Sequence, residues 1–133
     1  MIVLDTHVLV WWVSGAAEKL SKPAAAALGK ARGKEASVFV SAISAWEIAV
    51  LIQKGRLVLS MDVEEWLSHA ASLPELRFLP VDRHTAVQSV RLPGDFHSDP
   101  ADRLIVATAR RLNLPLVTAD ERIRNYQQVK SIW

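Results

Sequence analysis

Apolar and polar positions along the chain follow two different periods. Short runs of β-branched and aliphatic residues predict buried strands, whereas apolar residues spaced three or four positions apart predict helices. The predicted strands are residues 2–4, 37–41, 76–81, 114–118 and 129–133. The predicted helices are residues 6–13, 22–32, 45–54, 63–72, 100–112 and 121–126, with one more helix after Asp82. Strands that alternate with helices imply parallel pairing, so we expect an α/β fold with three α/β/α layers around a parallel sheet.

Capping residues mark several helix boundaries within this pattern. Ser21, Asp62 and Asp82 each precede a predicted helix and are expected to cap its amino terminus. Gly55 is expected to end the helix at 45–54, because glycine readily adopts the left-handed conformation found after helices.

Composition narrows the class of protein. The 133 residues suit a single domain, and the absence of cysteine excludes disulfides and thiolate metal sites. The first residues lack the basic region of a signal peptide, and no apolar run reaches the ~18 residues of a membrane span. We therefore expect a cytoplasmic protein without a membrane segment. The 50% hydrophobic content and five tryptophans suggest an oligomer or a partner-covered surface.

Acidic residues stand where predicted strands give way to helices. Asp5 directly follows the first strand, and Glu47 lies in the helix after the second. Asp99 and Asp102 begin the helix at 100–112, and Asp120 follows the strand at 114–118. Because parallel strands end at one edge of a sheet, where open α/β proteins bind ligands, we expect these carboxylates to converge.

Helix capping is the alternative explanation for each acid taken singly. Asp99 before Pro100 is a typical N-cap, and Ser44 with Glu47 and Thr118 with Glu121 both fit the capping-box spacing. However, two carboxylates ~4 Å apart repel by about 4 kcal/mol at an effective dielectric near 20, and serine or asparagine would cap as well. A converging set of acids is better explained by a hard divalent cation such as Mg²⁺, which suits phosphodiester hydrolysis.

Basic residues are concentrated in the last third of the chain, although the formal net charge is only +2. They are Arg103, Arg110, Arg111, Arg122, Arg124 and Lys130. A cationic face would attract a phosphate backbone, and Arg103, Arg110 and Arg111 are the candidate phosphate contacts. Solvated helix faces are the alternative. His69, His84 and His97 show no ligand spacing and are interpreted as surface or packing residues.

Four segments in order resemble PIN-domain toxins of the VapC type. They are MIVLDTH at 1–7, SAISAWEI at 41–48, HSDPADRLIVATA at 97–109 and LVTAD at 116–120. The resemblance covers the full chain, residues 1–133, as one PIN domain. It implies a PIN-like fold and an endoribonuclease that uses Mg²⁺, with Mn²⁺ able to substitute.

The resemblance also implies roles for particular residues. Asp5, Glu47, Asp102 and Asp120 match the family's four catalytic and metal-binding acids, with Asp5 and Asp102 as the most direct ligands. Asp99 belongs to a variant of the third motif and is either a further ligand or only a cap. The candidate substrate contacts are Thr6, Arg103 and Thr118, and Thr118 could instead bind a ligand carboxylate. His7 either faces the substrate or lies on the surface.

The same resemblance implies partners. An RNA substrate, a cognate antitoxin and a homodimer are expected, with no membrane. Trp11, Trp12 and Leu51 either form a surface for an antitoxin helix or belong to the core. A metal-bound water is expected to hydrolyse the RNA, leaving a 5′-phosphate and a 3′-hydroxyl without a covalent intermediate.

Other functions explain fewer of the residues. A PIN nuclease of RNA processing or decay outside a toxin system would have the same site, and a non-catalytic binding module would use the acids only as caps. A haloacid dehalogenase-type phosphatase favours Asp-x-Asp after the first strand, where this chain has His7. A Rossmann domain is disfavoured because no Gly-x-Gly-x-x-Gly follows that strand.

Overall fold

A five-stranded sheet forms the centre of the computed structural model, which describes residues 1–133. The strands are β1 (Ile2–Leu4), β2 (Val38–Ser41), β3 (Leu76–Leu79), β4 (Leu116–Val117) and β5 (Ser131–Ile132). All neighbouring strands are parallel, and their order is β3-β2-β1-β4-β5. The predicted α/β fold with a central parallel sheet is therefore confirmed.

Seven α-helices and one short 3-10 helix, Ala17–Lys19, connect or flank these strands. The α-helices are α1 (Thr6–Val13), α2 (Lys22–Ala31), α3 (Ile43–Gln53), α4 (Val63–Ala71), α5 (Arg83–Val90), α6 (Pro100–Leu112) and α7 (Glu121–Arg124). Every predicted helix is present, and residues 55–60 form no strand. The N-caps Ser21, Asp62 and Asp82 accept backbone hydrogen bonds as predicted, and Gly55 follows α3 with a φ of 70°.

Helices cover both faces of the sheet. Successive side chains of a strand point to opposite faces, so a strand that is apolar throughout needs a helix layer on each side. In β1, Ile2 and Leu4 belong to a core that also contains residues of α1, α2 and α4. The intervening Val3 belongs to a second core, with residues of α6 and α7. Since β1 is buried on both faces, its continuous apolar sequence agrees with a central strand.

The strand order reverses beside β1, and this reversal positions the functional residues. The chain first moves from β1 outward to β2 and β3, and then returns to place β4 on the other side of β1. The connections that leave β1 and β4 consequently diverge and open a crevice at the carboxyl edge of the sheet. Asp5 follows β1 and Asp120 lies three residues after β4, so both acids stand at this crevice.

Several tryptophans lie between core and surface. Trp11 and Trp12 are half-buried and pack against the first core, and Leu51 is half-buried as well. Trp46 of α3 is the tryptophan that remains largely exposed, at 59%. None of the helices is long and apolar enough to span a membrane.

Candidate active site

An open cleft of about 460 Å³ lies at the carboxyl edge of the sheet. Its lining residues are Asp5, His7, Trp11, Glu47, Asp99, Asp102, Ala119, Asp120 and Arg122. All five acids that stand at the predicted strand ends and helix starts are among them. The convergence expected from parallel topology is therefore present in the structure.

Three of these acids are close enough to share one ion. Glu47, Asp99 and Asp102 each offer a carboxylate oxygen, and these oxygens lie within 4.8 Å of one another. An all-oxygen donor set with a high negative charge suits a hard cation such as Mg²⁺ or Mn²⁺. The residues present thus fit a divalent metal, and Asp99 is close enough to take part in addition to capping α6.

Asp5 is buried at the base of the cleft and is held by two hydrogen bonds. The backbone N–H of Thr6 donates to its Oδ1 at 2.8 Å, and the Thr118 hydroxyl donates to its Oδ2 at 2.6 Å. Burial raises the pKa of Asp5 above its ordinary value, while the bonds from Thr118 and Thr6 act in the opposite direction. The two bonds orient the carboxylate and stabilise its charged form.

Glu47 is positioned by the start of α1 rather than by its own helix. The Thr6 hydroxyl donates to Glu47 Oε1 at 2.5 Å, and Ser44 Oγ lies 2.8 Å from Thr6 Oγ1. The alternative explanation of Glu47 as part of a capping box does not apply, because α3 begins at Ile43 with Ala42 as its N-cap and Ser44 and Glu47 lie within the helix. Burial raises the pKa of Glu47.

Asp102 has a strongly raised pKa in the cleft. Burial and the negative charges of the other four acids, Asp5 foremost, raise its pKa to about 8. Asp99 caps α6 by accepting the backbone N–H of Asp102 at 3.0 Å, as the Asp-Pro pattern predicts. The metal-free cleft therefore favours a proton on Asp102, at the position where the sequence predicts a direct metal ligand.

Asp120 differs from Asp102 because a cation lies beside it. Arg122 Nη2 lies 3.1 Å from Asp120 Oδ2 and 3.5 Å from Asp102 Oδ2. Burial alone would raise the pKa of Asp120, but its hydrogen bonds with Arg122 hold that pKa below the ordinary value. Asp120 also caps α7, so Thr118 does not form the predicted capping box with Glu121.

His97 is a residue of the site that sequence reasoning missed. Its Nε2 lies 3.0 Å from Asp102 Oδ2, without the angle of a hydrogen bond, and its Nδ1 accepts the backbone N–H of Asp99 at 3.4 Å. Burial and the nearby Arg122 lower the pKa of His97. His97 precedes Asp99 by two residues, but a histidine outside ligand spacing gives no signal of such a contact.

The arginines predicted as phosphate contacts bind other groups of this protein. Arg103 donates to the backbone carbonyls of Ser89, Phe96, His97 and Val90, so its guanidinium holds the segment between α5 and α6 together. Arg110 binds the carbonyl of Gln128, and Arg111 binds Asp82. Arg122 is the arginine that lines the cleft. The sequence alone does not show that Arg122, rather than the nearby Arg124, would reach the acids.

Thr6 and Thr118, the other predicted substrate contacts, are buried and bind carboxylates. Thr6 is 1% exposed and Thr118 is fully buried. Their hydroxyls are used by Glu47 and Asp5, respectively. Thr118 thus has the carboxylate-binding role that was one of its two expected alternatives, and both threonines act as positioning residues.

Comparison with known proteins identifies related chains. The family description "PIN domain" matches residues 2–129. Ribonuclease VapC22 of Mycobacterium tuberculosis is 36% identical over 131 residues, covering 98% of this chain and 95% of that protein.

Solved structures show the same fold at lower identity. A toxin–antitoxin complex from Klebsiella pneumoniae matches with a TM-score of 0.64 and 21% identity, covering 97% of this chain and 95% of that chain. VapBC2 from Rickettsia felis, bound to a DNA fragment from its promoter, matches with a TM-score of 0.61 and 18% identity, covering 98% and 97%.

Proposed function

This chain belongs to the PIN-domain family, and we propose that it is a Mg²⁺- or Mn²⁺-dependent endoribonuclease that acts as the toxin of a type II toxin–antitoxin pair. The observation that carries the proposal is the convergence of five carboxylates in one open cleft at the strand-order reversal. The close full-length relationship to a protein named as a ribonuclease supports RNA as the substrate.

Repulsion among the acids argues for a metal rather than for helix capping. The pKa of about 8 for Asp102 means that its charge is opposed by burial and by its neighbours, which no capping role requires. We assign Asp5 and Asp102 as the most direct ligands. Glu47, Asp99 and Asp120 would assist, either directly or through water, and the closeness of Asp99 to Glu47 and Asp102 supports its inclusion.

The residues of the cleft would support hydrolysis of a phosphodiester bond once a divalent cation is bound. When bound, a divalent cation lowers the pKa of a water molecule and offsets negative charge on the scissile phosphate. Thr118 and Thr6 keep Asp5 and Glu47 oriented, so the carboxylates are placed before substrate arrives. Arg122, 61% exposed at the cleft, supplies positive charge that a phosphate oxygen can approach. The expected products carry a 5′-phosphate and a 3′-hydroxyl.

The toxin role rests on the relatives. The solved neighbours include toxin–antitoxin complexes, which supports an antitoxin as the partner of this chain. Trp11, Trp12 and Leu51 are half-buried and keep some apolar surface that an antitoxin helix could cover. A homodimer is part of the same proposal. A role in RNA processing outside a toxin system would use the same cleft, so growth arrest on expression separates the two.

Cleavage of labelled transfer and ribosomal RNA by the purified protein tests the nuclease function. Mg²⁺ or Mn²⁺ should support cleavage and EDTA should stop it. Asp5→Ala should abolish cleavage and remain folded by circular dichroism, because Asp5 binds only the helix start and Thr118. An Asp5→Ala protein with wild-type activity would refute the assignment, and cleavage that persists in EDTA would refute metal dependence.

A further inference from the structure

Aromatic rings line one part of the acidic cleft. His7 and Trp11 both belong to the cleft lining, and their ring centroids are 5.9 Å apart with the planes tilted by 49°. Trp133 continues the series, since its ring lies 5.9 Å from that of Trp11. The three rings form a connected group that begins in the cleft and extends beyond it.

Helix α1 carries two of these rings, His7 and Trp11, and begins directly after Asp5. Asp5 is the N-cap of α1, and His7 and Trp11 are four residues apart in this helix, so they lie on the same face. Trp11 is half-buried against the core, whereas His7 is exposed. The indole is therefore held in place by packing while part of its surface remains open to the cleft.

The remaining lining of the cleft is almost entirely charged. Five carboxylates and Arg122 account for most of it, and Trp11 and Ala119 are its two apolar members. A metal ion bound by carboxylates and a phosphate would use the charged groups, but neither would use the face of an indole. A nucleotide would use both, because its phosphate is joined through the ribose to a planar base, and bases stack on aromatic side chains.

We propose, resting on the nuclease function above, that Trp11 stacks on an unpaired nucleobase beside the scissile phosphate, with His7 at the edge of the same platform. Stacking requires a base whose face is free, which a continuous duplex does not offer. Because every base has an aromatic face, Trp11 contributes affinity and placement more than choice of sequence.

Abasic substrates test this contact directly. An RNA oligonucleotide that contains the cleavage site mapped for the wild-type protein is made with one abasic nucleotide at each position near that site. Loss of the stacked base should lower kcat/KM between about fivefold and about 150-fold, mainly through KM. Trp11→Leu should show a similar loss on intact RNA and little further loss on the sensitive abasic RNA. Trp11→Phe should keep most of the wild-type behaviour because it keeps an aromatic face.

Trp46→Leu is the matched control. Trp46 is 59% exposed and does not line the cleft, so this variant should cleave intact and abasic RNA as the wild type does. Melting temperatures of all variants separate a loss of stacking from a loss of fold, since Trp11 also contacts the core.

Two results would overturn the stacking contact while leaving the nuclease function standing. One is that the wild-type protein cleaves every abasic RNA as fast as intact RNA. This result can be interpreted without any variant. The other is a Trp11→Leu protein with the same abasic sensitivity as wild type, which would leave Trp11 with only its contacts to the core and to an antitoxin. A wild-type protein that cleaves no RNA in Mg²⁺ or Mn²⁺ would contradict the nuclease function itself.

Discussion

Asp82 and Asp102 stand at the starts of two neighbouring helices, yet their electrostatic surroundings are opposite. Asp82 caps α5, and its bonds to the backbone and side chain of Thr85 and to Arg111 lower its pKa to about 2. Asp102 lies in the first turn of α6, and burial with four other acids raises its pKa to about 8. Both acids follow the same local rule for helix starts. The difference shows that acids at helix starts have opposite pKa shifts when the fold surrounds only one of them with further carboxylates.

Neutralising each of the two acids in turn should give the largest difference between them. Asp102→Asn removes a proposed metal ligand, so we expect RNA cleavage to fall about a thousandfold, which corresponds to several kcal/mol of lost transition-state stabilisation. Asp82→Asn should leave cleavage unchanged, because asparagine caps helices nearly as well and Asp82 lies outside the cleft. Cleavage rates of both variants at saturating Mn²⁺ provide the measurement. Equal rates for the two would remove Asp102 from the catalytic set.

The arginines beside these acids allow a second, smaller contrast. Arg122 pairs with Asp120 and Asp102, so its positive charge should oppose a divalent cation at the same carboxylates. Arg122→Gln should therefore tighten Mn²⁺ binding, about fivefold to tenfold, in calorimetric titrations without RNA. Arg111→Gln, which removes the partner of Asp82, should not alter the Mn²⁺ Kd. Weaker binding of Mn²⁺ by Arg122→Gln would show that the guanidinium supports the ion instead of competing with it.

The pH dependence of stability gives the smallest expected effect. The pKa of Asp102 is raised in the folded protein from about 3.8 to about 8, so the folded state holds this proton more tightly than the unfolded state. The protonated Asp102 contributes fully to stability below its pKa in the unfolded chain, about 3.8. This contribution is lost as the pH rises toward and through about 8. Without metal, we expect Tm to fall by several degrees between about pH 5 and about pH 8.5.

Two controls sharpen this pH experiment. Asp102→Asn should reduce this slope, and the part that remains would come from Asp5 and Glu47, whose pKa values are also raised. Mg²⁺ should raise Tm more at the upper pH than at the lower, since metal replaces the proton. Asp82 and Asp120 have lowered pKa values, so their contributions are lost in acid, below the range of the measurement. A metal-free Tm that rises steadily from pH 5 to pH 8.5 would contradict the assigned shift of Asp102.

Single helix caps are predictable from neighbouring residues, although neither of the two capping boxes considered is present. Asp82 and Asp99 cap their helices as expected, because a cap depends only on backbone groups a few positions away. The alternation of strands and helices predicted the parallel sheet, and with it the edge where the acids meet. The resemblance to PIN domains is confirmed by the match over residues 2–129.

Residues that act between distant segments were predicted poorly. The sequence gives no signal that Arg103 binds four carbonyls, which lie in the preceding loop and in α5. His97 and Arg122 were not singled out, since their contacts with Asp102 depend on how the loop before α6 and the start of α7 meet. A long cationic side chain can reach several partners, and only its surroundings decide which one it binds.

The amino-acid sequence by itself determined which elements form, which strand ends carry acids and which family the chain resembles, because these depend on local periodicity and on short motifs. Tertiary structure alone decided that Thr118 donates to Asp5 across 113 positions, that Trp11 faces the cleft and that Arg122 enters it. The physical reason is that hydrogen bonds and charge interactions act over a few ångströms, and only packing of the two cores brings residues so far apart in the chain to those distances.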